Sequence, residues 1–123
     1  DIEIKKKKIF KYYNKKLNNL FLKIPNFDKK NKSNNYIYAC YINKKYKTKF
    51  LNFMKKNKVE CKSYYNILLS ENYFLKSIIK NSLPNSLQAK NSLICLPSNQ
   101  KLNNNDLRKI TDLIKKFFVN FSY

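Results

Sequence analysis

At 123 residues, 43% hydrophobic and with ten Tyr and nine Phe, the chain has enough apolar material for one modest core, which argues against a disordered polymer. A net charge of +20 would ordinarily point to nucleic acid or an anionic membrane, but Arg108 is the lone arginine among 27 basic residues, and Gly, His and Trp are absent. The abundant Lys, Asn, Ile, Tyr and Phe share A/T-rich codons, so a biased genome accounts for the charge and it says little about partners.

In chain order, Ile9, Phe10, Tyr13, Leu17 and Leu20 recur at helical spacing and predict a first helix with lysines on its other face. Phe21–Ile24 is expected as a short strand before Pro25, and Asn26–Asn35 as a polar loop anchored by Phe27. Tyr36–Ile42 is apolar throughout and rich in aromatics, as a central strand requires. A second helix buries Tyr46, Phe50, Phe53 and Met54 and stops near Asn57-Lys58, where Asn57 is the better left-handed residue.

Val59–Tyr65 is predicted as another strand. Asn66–Asn81 is looser, with Tyr73, Phe74, Leu75, Ile78 and Ile79 helical in part. Pro84 opens a helical turn through Leu87 and Ala89. Leu93–Leu96 forms the last strand, ended by Pro97, which has no amide hydrogen to donate. The closing helix carries Leu107, Ile110, Ile114, Phe117, Phe118 and Phe121 on one face, with Asn103 or Asn104 as cap and Asp106 in the first turn. Asp112 is expected to pair with Lys115 and Lys116. The order predicts an α+β fold, a small antiparallel sheet with helices packed on it, in a single domain over 1–123.

Cys40, Cys61 and Cys95 are far apart in sequence, with no Cys-x-x-Cys pair and no histidine, so no metal site is expected. Three free thiols in a core suit a reducing, cytoplasmic setting. The longest apolar run, Tyr36–Ile42, is too short to span a bilayer, and Lys5–Lys8 leads into an amphipathic pattern, unlike a signal peptide. With no histidine and seven carboxylates there is no evident acid–base pair, and no catalytic residue is assigned.

Two blocks carry a resemblance. Lys47–Phe74 follows a helix with a strand on which Glu60, Lys62 and Tyr65 fall at the positions of a Glu, an Arg and an aromatic, with Phe74 on a second aromatic farther along. Leu93-Ile-Cys-Leu-Pro-Ser98, with Leu102 beyond it, gives a strand and turn before the closing helix, and Tyr12-Tyr13 sits near the middle of the opening one. In this order the blocks resemble the C-terminal small domain of the DegT family of pyridoxal-phosphate-dependent nucleotide-sugar aminotransferases, which have the aspartate-aminotransferase fold. The pattern departs from the family at Lys58, where a glycine is usual, at Ser63 and Ile67, where prolines are, and at Leu69, where a histidine is. Lys62 in place of the arginine keeps the charge and loses the bidentate fork.

The resemblance implies a nucleotide-linked 4-keto sugar as substrate, in the synthesis of cell-surface polysaccharide sugars, and a homodimeric parent enzyme. It also implies that the N-terminal domain with the Schiff-base lysine lies outside this chain, which begins at Asp1 and reads as a fragment, a split half or a decayed copy. No cofactor-binding residue is then expected here, and the chain alone is expected to be inactive. By the same resemblance Lys62 contacts an anionic group, Tyr65 packs on a ring, and Asn66 hydrogen-bonds a hydroxyl. Two other readings compete. One is a small basic nucleic-acid-binding, ribosome-associated protein, its lysines interleaved with Tyr12, Tyr13, Tyr36, Tyr38 and Tyr41. The other is a structural or dimerising remnant.

Overall fold

The computed structural model describes residues 1–18, 22–24, 33–79 and 83–121. Leu20, Phe21, Pro25, Phe27, Asn81 and most of the expected 26–35 loop lie outside the described residues, as does the side chain of Phe121.

Helix α1 spans Ile2–Leu17 and buries Ile9, Tyr13 and Leu17. Asp1 caps it by accepting the Glu3 N–H at 3.0 Å, and Lys15 and Lys16 close its last turn, where cations suit the helix dipole. Strand β1, Tyr38–Tyr41, pairs antiparallel with β2, Leu93–Leu96, in the register Tyr38↔Leu96 and Cys40↔Ile94. Those four side chains are buried and share one face, as strand alternation requires. The expected strand Tyr36–Ile42 is thus shortened, since Tyr36 and Ile37 stand exposed.

Single antiparallel bridges extend the sheet on both sides, Lys23 to Tyr41 and Lys62 to Cys95, so β1 is central as its composition predicted. Each bridge is a reciprocal pair of backbone hydrogen bonds of 2.8–3.0 Å. The expected strand Val59–Tyr65 reduces to the Lys62 bridge. Lys58 and Tyr65, both at φ 60°, bracket it and turn the backbone out of the ladder at either end.

Helix α2, Lys44–Lys56, is capped by Asn43, whose side chain accepts the Lys45 N–H at 3.1 Å. Its C-terminus corrects the expectation for Asn57. The left-handed residue is Lys58, while Asn57 sits at φ −90°, ψ 17° and donates its side-chain amide to the Phe53 carbonyl at 2.8 Å. The Val59 N–H reaches the Met54 carbonyl at 2.9 Å and the Lys58 N–H that of Lys55 at 3.0 Å, the two bonds of a Schellman motif, with Val59 and Met54 both buried. A 3-10 turn, Leu69–Glu71, and irregular turns to 78 take the place of the partial helix expected across Tyr73–Ile79. Helix α3, Pro84–Ser92, buries no side chain.

Helix α4, Asn104–Phe121, starts from a reciprocal box. Asn103 Oδ1 accepts the Asp106 N–H and Asp106 Oδ2 accepts the Asn103 N–H, both at 3.0 Å, so Asn103 is the cap. It buries Leu107, Ile110, Ile114, Phe117 and Phe118, as its spacing predicted. It also buries Thr111, whose hydroxyl donates back to the Leu107 carbonyl at 3.0 Å. The expected pairs of Asp112 do not close; the ion pairs among the described residues are Lys62–Glu60 and Lys90–Glu71.

Helix α1 packs on α4, and α2 touches both α3 and α4. The Phe50 ring meets Phe117 edge-on at 5.2 Å. At the other end of the core the wholly buried Tyr13 lies 4.8 Å from the ring of Tyr38 and donates its hydroxyl to the Pro97 carbonyl at 2.7 Å. That bond ties α1 to the Leu-Pro-Ser turn 84 residues away. The three cysteines come together on adjacent strands as free thiols, with Cys40 and Cys95 buried and Cys61 half-buried. Burial, then neighbouring Cys95 and Glu60, pushes the Cys61 thiol up to about 12.

Candidate functional site

The stretch from Lys58 to Asn66 is an extended segment held at its middle by the Lys62–Cys95 bridge and turned at both ends by left-handed residues. A bulky side chain in that conformation costs about 1–3 kcal/mol and persists only where its surroundings hold it. The segment is therefore positioned, and Lys62 is presented from a fixed backbone.

Lys62 lines a cleft of about 610 Å³ between this segment, the start of α1, the Pro97–Gln100 turn and α4. Its ammonium stands 3.6 Å from Glu60 and both side chains are largely in solvent, so the pair is weak. Across the cleft Lys6 donates to the Tyr36 carbonyl at 3.1 Å and lies 4.7 Å above the Tyr36 ring. Tyr64 and Lys58 complete a rim able to meet an anion beside an aromatic face. Lysine is nonetheless about as dense in this lining as in the whole chain, so the cleft gives nucleic-acid binding no special footing.

The three residues expected to face a substrate are not gathered in one cavity. Tyr65 is 75% exposed and does not line the cleft. Asn66 accepts the Ser63 hydroxyl at 3.1 Å and lines a separate groove with Lys47 and Lys90. Nothing in the sequence pairs Lys6 with Tyr36, because 30 residues separate them and the packing of α1 beside β1 brings them together.

The described residues do not fit the pyridoxal phosphate that the resemblance implies. Schiff-base chemistry needs a desolvated lysine free to reach a carbonyl carbon and a carboxylate facing the pyridine nitrogen. Among the described lysines Lys47 is the one whose ammonium is disfavoured, by burial first, with Cys95 opposing and Lys90 adding to it, but its Nζ is spent on the Lys90 carbonyl at 2.6 Å. Of the described carboxylates, Asp1 and Asp106 serve as helix caps and Glu71 is held by Lys90, while none lines the groove with Lys47.

The fold recurs in solved structures. An aminotransferase from Brucella abortus matches with a TM-score of 0.84 and 21% identity over 95% of this chain and 31% of its own. Helicobacter pylori PseC, an aminotransferase involved in the biosynthesis of pseudoaminic acid, matches at 0.82 and 19% over 97% of this chain and 33% of its own. A Bacillus subtilis protein, ntda, with its cofactor PMP bound, matches at 0.81 and 11% over 93% and 28%. The chain thus spans about a third of the length of the structures it matches. No match was found among curated proteins. Residues 1–115 match the DegT/DnrJ/EryC1/StrS aminotransferase family, and the chain belongs to that family.

Proposed function

We propose that this chain forms the C-terminal small domain of a pyridoxal-phosphate-dependent aminotransferase acting on a nucleotide-linked 4-keto sugar. The enzyme would work in the cytoplasm as a homodimer and feed cell-surface polysaccharide synthesis. The cofactor and its lysine belong to an N-terminal domain carried in the same or a separate chain. In this reading Lys62, Tyr65 and Asn66 reach the sugar nucleotide only once that domain is in place, which suits their present separation. The observation that carries the proposal is the coverage: nearly all of this chain aligns with about a third of each aminotransferase. One of those relatives acts in making a sugar and another holds PMP. The nucleic-acid alternative gains nothing from the fold or from the family match.

The test begins by sequencing the transcript upstream of the Asp1 codon. The complete product, or the chain expressed with a separately encoded cofactor domain, is then loaded with pyridoxal phosphate and offered 4-keto nucleotide sugars with a panel of amino donors. Conversion of the cofactor absorbance and a product mass of the amino sugar are expected. A complete product that binds pyridoxal phosphate but transfers nitrogen only between amino acids would sink the sugar assignment.

A further inference from the structure

Half of the large hydrophobic side chains that stand open to solvent are concentrated in one short stretch. Of the fourteen among the described residues, seven fall between Tyr64 and Ile78. Tyr73 is 87% exposed and Phe74 81%, and their rings touch each other at 5.6 Å without joining the core. This arm is nevertheless built. The Leu68 N–H donates to Glu71 Oε2 at 2.8 Å, Asn72 Oδ1 accepts the Phe74 N–H at 3.0 Å, and the Ile79 N–H closes on the Leu75 carbonyl at 2.9 Å. Lys90 grips both Glu71 oxygens at 2.7 Å and pins the arm to α3. Its root is the left-handed Tyr65, a strained conformation for an aromatic residue.

Aromatic and aliphatic side chains at such exposure present on the order of 800 Å² of apolar surface, one partner's share of a standard interface and more than an ordinary monomer leaves open. The matched aminotransferases carry about twice as much further structure beyond the part that aligns here.

We infer that the arm from Tyr64 to Ile78 is the docking surface for the cofactor-binding two thirds of the aminotransferase fold, carried in the same or a separate chain. This rests on the proposed function. The occupant presents an apolar face with an acidic group opposite Lys76, the lysine within the arm.

The test uses the complete gene product, or the co-purified complex if two genes encode it. Hydroxyl-radical footprinting should show Tyr73 and Phe74 oxidised about tenfold more slowly than the exposed Tyr36, as burial in an interface core requires. Lysine cross-linking should join Lys76 to the region holding the borohydride-reducible pyridoxal-phosphate lysine. The double variant Tyr73→Ser, Phe74→Ser should weaken that association on the order of a hundredfold. Val119→Ser, a change at another exposed apolar residue, on α4, should not. Oxidation of Tyr73 at the rate of Tyr36, or Lys76 links only to a second copy of this region, would overturn the inference. Docking without amino transfer to a sugar would leave the arm assigned and remove the substrate. Activity with an unprotected arm would do the reverse.

Discussion

Removing one hydroxyl tests how the opening helix is anchored. Tyr13→Phe keeps a ring that is wholly buried and its contact with Tyr38, and deletes only the 2.7 Å bond to the Pro97 carbonyl. That carbonyl then lacks its donor in a partly buried position, a loss in the range of about 1–3 kcal/mol, and near 1.5 because water can reach part of the site. At about 2.1 cal/mol/K per residue of unfolding entropy, a chain of this size should lose roughly 4–8 °C in Tm. Far-UV circular dichroism melts of Tyr13→Phe beside Tyr73→Phe measure it, since the Tyr73 hydroxyl lies on an 87% exposed residue and its loss should change nothing. A drop below about 1 °C for Tyr13→Phe, against the 4–8 °C worked from unfolding entropy, would refute the bond as the anchor of α1.

Lys58→Gly should stabilise the chain by about 0.5–1 kcal/mol in urea titrations, because the left-handed cost of a side chain at φ 60° exceeds the extra freedom glycine gives the unfolded state. Loss of stability on that change would show that the Lys58 side chain has a role its backbone does not reveal. The Cys61 thiol, raised from 9.0 to about 12 by burial first and by Cys95 and Glu60 after it, stays protonated in the fold while the unfolded thiol ionises. Its stabilising contribution is therefore complete below pH 9 and lost as pH rises toward 12. Tm should fall across that window, less steeply in Cys61→Ala, and iodoacetamide should label native Cys61 slowly at pH 8.5. Labelling as fast as in urea would contradict the burial argument.

Much of the architecture was legible because its causes are local. The faces of α1, α2 and α4 follow from helical spacing of Ile9 and Tyr13, Phe50 and Met54, and Leu107 to Phe118, while the cap was legible only as Asn103 or Asn104 until the bonds with Asp106 selected Asn103. The family could be read from the order of its blocks, since the Leu-Ile-Cys-Leu-Pro-Ser strand and turn keep their place before the closing helix. The candidate site was less legible. Lys62, Tyr65 and Asn66 are neighbours in sequence, yet positive φ at Tyr65 sends them to different surfaces. A single left-handed residue redirects everything after it, and nothing in the composition of 59–66 marks which residue takes that role.

The sequence by itself therefore determined helices α1, α2 and α4, the central strand and the family, because periodicity, capping and motif order act over a few residues at a time. Tertiary structure alone decided the rest. It set which extended segments earned a ladder, since pairing needs a partner's N–H and carbonyl at the right height, and Lys23 and Lys62 each found one at a single residue. It drew three distant cysteines together across the sheet, Cys40 on β1, Cys95 on β2 and Cys61 beside the Lys62 bridge. It also left Tyr73 and Phe74 outside the core, because the faces of α1, α2 and α4 had already filled it.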